Sequence, residues 1–370
     1  MSAAMITVGY KVAYSVSVKG KVDYISLHGT LDRAELNALS QIGACDRIQV
    51  DEIPTQETLI ALNEQYYSQF PTTGFRFYGN RSNSVDFKFL RHLPNLEKLS
   101  VEYKQSEADL SVLKYLKNLK TLELSIGQIK DFCFLSETSD KLERFALDTK
   151  KKSFDLSILS RFKQLKVLEL FGLKNNIESI LALPLLEDLL LSGITLTDLS
   201  FLNGMRNLKA LKIHRGNTSD FSVLYGNTSI VALNLFRVTN FTDIDLIAKL
   251  PNLVSVELRE LQHIQRFTDL SNHESLKHIH VDGMKSLLDL SALECAKSLE
   301  SVSFVCCPPK FEPNCILPVL KNSTIKQCSF YTASEKKNKQ IGKYIKESGK
   351  ANKSNAVTVR DMLYSNRNGL

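Results

Sequence analysis

One spacing constrains this chain more than any other feature. A bulky apolar residue is followed three positions later by a second and two positions after that by a third. The pattern runs through Leu96, Leu99, Val101; Leu119, Leu122, Leu124; Leu142, Phe145, Leu147; Leu165, Leu168, Leu170; and Leu186, Leu189, Leu191. It continues through Leu208, Leu211, Ile213; Ile230, Leu233, Leu235; Leu253, Val256, Leu258; Leu276, Ile279, Val281; and Leu299, Val302, Phe304. The first anchors of these ten copies stand 21 to 23 residues apart. A weaker copy at Ile325, Cys328, Phe330 follows after 26 residues, and degenerate copies precede at Cys45, Ile48, Val50 and Thr72, Phe75, Phe77. Self-similarity at such a period marks a stacked-repeat architecture. Alternation within each copy puts its apolar residues on one face of a short strand and the intervening residues on the other. One repeat cannot bury its own apolar face, whereas stacked neighbours form a continuous core.

The second half of the repeat carries Asp-Leu-Ser-x-Leu, clearest at Asp198-Leu199-Ser200-Phe201-Leu202 ahead of Asn207-Leu208-Lys209-Ala210-Leu211-Lys212-Ile213. It recurs at Asp109, Asp155 and Asp289, with variants at Asp131, Asp220, Asp243 and Asp269. On these residues the chain resembles the leucine-rich repeat family, most closely its short 22-residue, internalin-type bacterial class, over residues 85–330. The resemblance implies an α/β solenoid. This is a horseshoe with a parallel sheet on the concave side, short helices or 3-10 turns on the convex side, and a partner gripped by the outward strand residues. Asp is a good N-cap for such turns. The asparagine that the family often places after the strand is absent: Lys104, Gly127, Lys150, Leu173, Ile194, Gly216, Val238, Leu261, Met284 and Cys307 stand there.

Terminal repeats need covers. Residues 1–80 are expected to form an N-terminal cap. Ile6, Val8, Tyr10, Val12, Tyr14, Val16 and Val18 alternate as in a strand, Lys19-Gly20 permits a turn, and Val22 to Leu27 returns. Helices are expected over Leu31–Ile42 and Gln56–Gln69, the latter started by Thr55 and stopped before Pro71. Residues 81–333 form the solenoid of ten to eleven repeats. Residues 334–370 form a basic tail or cap, carrying nine bases against Glu335, Glu347 and Asp361, with a short amphipathic helix around Ile341, Tyr344 and Ile345.

Composition excludes several classes. No apolar run reaches the roughly 18–20 residues of a membrane span; the greasiest stretch, Ile180 to Leu202, is cut by Glu187, Asp188 and Asp198. Met1 to Lys11 lacks a secretory pattern. Seven cysteines, an odd number, suit free thiols in the cytoplasm better than a disulfide framework. Cys295, Cys306, Cys307, Cys315 and Cys328 crowd together without a zinc spacing. There is no nucleophile elbow, phosphate-cradling loop or paired-histidine helix motif. The expectation is therefore no enzyme, no cofactor and no metal.

The outward strand positions then carry the functional expectation. Their acids (Glu102, Glu123, Asp148, Glu169, Asp188, Glu257, Asp282) outnumber their bases (Lys98, Arg144, Lys212, Arg259), which argues against nucleic acid on this face. Phe171, Leu190 and Phe236 are expected as apolar anchors for a protein partner. Glu169, Asp188, Lys212, His214, Glu257, Arg259, His278, His280 and Asp282 are expected around them. His263, His273, His278 and His280 cluster in sequence. His278, His280 and Asp282 should face outward together, with Glu257 beside His280 and Arg259 beside Asp282. The expected function is a non-enzymatic protein-binding scaffold, immunity-like or effector-like by family analogy. The alternative is docking on nucleic acid or an anionic membrane surface through residues 334–370.

Overall fold

The computed structural model describes residues 4–8, 12–16, 22–79, 85–218 and 220–353. The chain divides into two units, residues 1–185 and 186–370.

The first unit begins with three antiparallel strands, β1 (Ala4–Val8), β2 (Val12–Val16) and β3 (Val22–Leu27). The alternating stretch expected as one strand is therefore two. Val8, the last residue of β1, pairs with Val12, the first of β2, and the two strands run antiparallel. Tyr10, Val18 and the Lys19-Gly20 turn lie outside the described residues. From β3 onward the pairing is parallel, through β4 (Arg47–Val50), β5 (Gly74–Gly79), β6 (Lys98–Ala108), β7 (Thr121–Ile129), β8 (Arg144–Thr149) and β9 (Val167–Phe171). The register aligns Ile25, Ile48, Phe75, Leu99, Leu122, Phe145 and Leu168 in one row. Leu27, Val50, Phe77, Val101, Leu124, Leu147 and Leu170 form the next, and no residue of either row is more than 2% exposed. A one-residue slip would turn every one of these side chains to the wrong face.

Two helices join the early strands. α1 (Arg33–Ile42) starts at a reciprocal cap: Glu35 N–H donates to Asp32 Oδ1, and Asp32 N–H donates to Glu35 Oε2, both at 2.8 Å. That cap sets the start two residues beyond Leu31. α2 (Gln56–Ala61) is capped by Thr55, whose Oγ1 accepts from Thr58 N–H, and it widens into a π turn over Leu62–Tyr67.

The second unit repeats the parallel scheme with β10 (Asp188–Ser192), β11 (Ala210–His214), β12 (Ala232–Phe236), β13 (Ser255–Arg259), β14 (His278–Asp282), β15 (Ser301–Val305), β16 (Gln327–Phe330) and the short β17 (Ala351–Asn352). Its inner rows run Leu189, Leu211, Leu233, Val256, Ile279, Val302, Cys328 and Leu191, Ile213, Leu235, Leu258, Val281, Phe304, Phe330, all buried.

On the far side, four 3-10 turns are begun by the Asp of Asp-Leu-Ser and a fifth by Asp220-Phe221-Ser222. The Oδ1 of Asp109, Asp155, Asp198, Asp220 and Asp289 accepts the backbone N–H two residues on, at 2.7–3.0 Å. In Asp109, Asp269 and Asp289 this N–H leads the interactions that hold the carboxyl below its ordinary range. Between β13 and β14 the Asp269 turn forms without a helix, and a bridge from Arg266 to Asp289 replaces it.

Through Lys353 the basic C-terminal segment is folded. A helix spans Glu335–Glu347, capped by Ser334, with Ile341 and Ile345 fully buried beneath it. Lys350 donates from Nζ to the carbonyls of Asn322 (2.6 Å) and Ile325 (2.7 Å). The remainder of the expected 334–370 segment, residues 354–370, lies outside the described residues. Among the described residues no helix is long and apolar enough to cross a membrane.

Candidate functional site

Strand residues that alternate with the buried rows form the open face of each unit. In the first unit that face is laced by ion pairs. Arg76 grips Glu102 with two bonds (2.8 and 2.7 Å) and reaches Gln49. Arg144 bridges Glu123 (2.7 Å) and Glu169 (2.9 Å). Burial works against the Arg144 charge, but the two flanking carboxylates outweigh it and raise its pKa. Small residues, Ser100, Ser125 and Ala146, sit among these larger side chains, leaving a depression of about 280 Å³ that Glu169 and Phe171 help to wall. Both predicted residues thus stand at one hollow. Arg144, which organises it, was counted as a base but not expected as a site residue.

In the second unit the open face is built around Phe236. The guanidinium of Arg259 lies 4.5 Å from the ring centroid, that of Arg237 5.2 Å and that of Arg215 5.4 Å. The His214 ring meets Phe236 edge-on at 5.7 Å. Polar bonds fix this group: Asn234 Nδ2 donates to Glu257 at 2.6 Å, its Oδ1 faces His214 Nε2 at 3.1 Å, and Arg259 pairs with Glu257 at 3.3 Å. Arg237 pairs with Glu260 at 2.6 Å. The register places Glu257 beside His280 and Arg259 beside Asp282, as the spacing requires.

Other predicted residues fall differently. Leu190 is only 7% exposed and presents little surface as an anchor. Lys212 pairs beside it in register and runs across to Asp188, 2.8 Å away, so the lysine stem and a carboxylate with only 2% side-chain exposure flank it. His278 bonds Ser301 through Nδ1 at 2.8 Å, and His280 lies on the same face with a shielded, unpartnered Nδ1. The sequence cluster of four histidines dissolves. His273 is buried, receives the N–H groups of Ser275 and Leu276 on Nδ1, and meets the Leu250 carbonyl at 2.9 Å, while His263 lies exposed in a loop. Among the described residues no group of three His, Cys, Asp or Glu side chains is arranged to hold a metal, and all seven cysteines are free.

Arg215 and Arg237 were missed because they follow their strands and so fall outside the alternating positions. Their backbones are left-handed, at φ 52° and 50°. Gly172, Gly193 and Gly283 stand at the same point after β9, β10 and β14. That recurrence of glycine is the sequence signal that marks the position as special.

Burial lowers the His214 pKa to about 4. Unfolded, it returns to near 6.5, so the unfolded chain binds the extra proton between these values. His214 therefore contributes stability that is complete above about pH 6.5 and lost as pH falls toward 4. Replacing it with Asn is expected to flatten this part of the stability–pH curve by about 1–2 kcal/mol, the ring being only partly buried. Denaturant titrations of both proteins at pH 4.5 and 7.5 check this, and equal pH slopes would refute it.

Repeating parallel strands with in-register apolar rows and single-turn connections define the leucine-rich repeat fold, and the short repeat resembles the bacterial internalin class. An internalin (InlF) of Listeria monocytogenes superposes with a TM-score of 0.50 at 18% identity, covering 83% of this chain and 91% of that one. The Toll–Spätzle complex of Drosophila matches with a TM-score of 0.54 at 12% identity, over 89% of this chain and 54% of that one, so this chain spans about half of its length. At such identities the likeness is one of fold. No protein-family description and no curated protein matches the sequence.

Proposed function

We propose that this chain is a non-enzymatic scaffold that holds a protein partner against its open strand face, in a reducing cytoplasm of bacterial type. Residues 1–80 and 334–370 act as covers for a repeat array over 81–333. The observation that carries this reading is Phe236. A large aromatic side chain stands partly exposed on a fixed strand, with arginines packed around it. Aromatic and arginine side chains supply most of the energy at protein interfaces, and strands already set in register lose little entropy when a partner arrives. Phe171 beside the Glu169 hollow and the His278–His280–Asp282 row extend the contact surface, while Asp188, itself buried, holds Lys212 in place beside them. An immunity-like or effector-like role, in which one target is neutralised, fits such a surface. In the likeness above, Toll is seen in complex with Spätzle.

Phe236→Ala combined with Phe171→Ala is expected to keep the circular dichroism spectrum and to weaken partner capture from native lysate by at least about tenfold. Unchanged capture by a folded double variant would remove the open face from the function. The alternative, docking of residues 334–370 on nucleic acid or anionic membrane, is disfavoured by the use of Lys337 and Lys350 in bonds to backbone carbonyls.

A further inference from the structure

We propose that Arg215, Arg237 and Arg259, gathered on the Phe236 ring, form a clamp for an anionic side chain of an acidic peptide segment. This rests on the protein-binding reading above and names the chemistry of the partner. Three like charges stand around one ring, and the charges that oppose them are the ring's negative face, Glu257, Glu260 and, beside Arg259 in register, Asp282. Glu260 is taken by Arg237, and Glu257 is shared between Arg259 and Asn234. Among the described residues Arg215 makes no ion pair, although it is exposed and its guanidinium is held in place by the ring. Arg259 Nε is shielded from solvent and has no hydrogen-bond partner. One cation without a counter-charge and one donor without an acceptor therefore lie against the same phenylalanine.

The backbone sets the direction of two of these side chains. Arg215 and Arg237 occupy left-handed positions that Gly193 and Gly283 fill after β10 and β14. Any residue with a Cβ is strained there, and glycine is not. The same left-handed conformation recurs at Glu260 after β13 and at Cys306 after β15, so it belongs to the repeat itself; at Arg215 and Arg237 it carries both side chains to the same ring. A planar guanidinium fork matches a carboxylate with two parallel bonds, and an apolar neighbour on the same segment would rest on the remaining surface of Phe236.

The test uses the full chain and four fluorescent probes. Three are peptides of equal length and equal Leu and Tyr content: one rich in Asp and Glu, one with those residues replaced by Asn and Gln, and one with phosphoserine in their place. The fourth is a single-stranded oligonucleotide. The acidic peptide is expected to bind at least about tenfold more tightly than its amide counterpart. Arg215→Gly with Arg237→Gly should erase that preference without lowering the thermal midpoint, because glycine suits those backbones. Arg215→Gln alone should reduce it. Equal affinity for the acidic and amide peptides overturns the proposal, as does a preference that survives both arginine substitutions or a stronger preference for the oligonucleotide. Tighter binding of phosphoserine assigns the same clamp to a phosphoryl source. Peptide binding that ignores charge but disappears in Phe236→Ala keeps the scaffold and discards the clamp. Failure of all four probes discards the clamp and leaves the scaffold to the capture experiment.

Discussion

Phe304→Ala should destabilise the second unit by about 3–5 kcal/mol, the range for truncating a buried aromatic. The ring is 2% exposed, stacks on Phe330 at 5.0 Å and meets Phe267 edge-on at 6.3 Å. It lies in the inner row between Val281 and Phe330, so the cavity would open between three successive strands. The surrounding backbone is tied by parallel ladders on both sides and has little freedom to close that space. Repeat arrays are stabilised by nearest-neighbour interfaces, so the loss should be local before it is global. Amide protons of β14, β15 and β16 should exchange much faster, while those of β5 to β7 keep their protection. Uniform loss across all strands, or a penalty below about 1 kcal/mol, would contradict a core built repeat by repeat.

The sequence makes that core legible for a physical reason. Each of the triplets from Leu96, Leu99, Val101 to Leu299, Val302, Phe304 is buried, because a repeated spacing reports the same geometry ten times over. Even the degenerate copy at Cys45, Ile48, Val50 falls into the same rows. The strand register was legible too, and with it the Glu257–His280 and Arg259–Asp282 adjacencies. Properties that depend on a neighbour's side chain were not. Leu190 reads as an exposed anchor until Lys212 is seen running past it to Asp188. His273 and Asn322 occupy a place three residues before their triplets, where Leu93, Leu116 and Leu250 are apolar. Each substitutes backbone bonds for packing, with Asn322 Nδ2 reaching the carbonyls of Leu293 (2.7 Å) and Ala296 (2.8 Å). Spacing alone does not say which carbonyls are free to accept. Around Phe236, His214 and Arg259 were legible from alternation, but Arg215 and Arg237 escaped for a related reason, since they sit where a backbone angle, not an alternation, decides direction.

The C-terminal helix carries the second large expectation. Glu335–Glu347 turns Ile341 and Ile345 inward, and its Lys and Glu residues face water as the i, i+4 pairs Glu335–Lys339 and Lys343–Glu347. Those surface pairs contribute only tenths of a kcal/mol each. The attachment therefore depends on the two isoleucines, on Lys337 Nζ donating to the Phe311 carbonyl at 3.0 Å, and on the Lys350 bonds beneath. Ile345→Asp would place an unpaired carboxylate at a fully buried position, at a cost of about 3–5 kcal/mol. The helix avoids that cost by lifting away, which uncovers the β16–β17 end of the sheet that it packs against. Limited trypsin digestion is expected to cut this variant rapidly at Lys336, Lys337 and Lys339, with a lower thermal midpoint and self-association of the uncovered end. Ile345→Val should behave almost as the parent, since it removes one methylene without adding charge. A rapidly cleaved Ile345→Val, or an Ile345→Asp that resists trypsin as well as the parent, would mean that something other than these buried isoleucines holds the helix down. The basic residues of this segment would then be freer for an external partner than their present bonds to the fold allow.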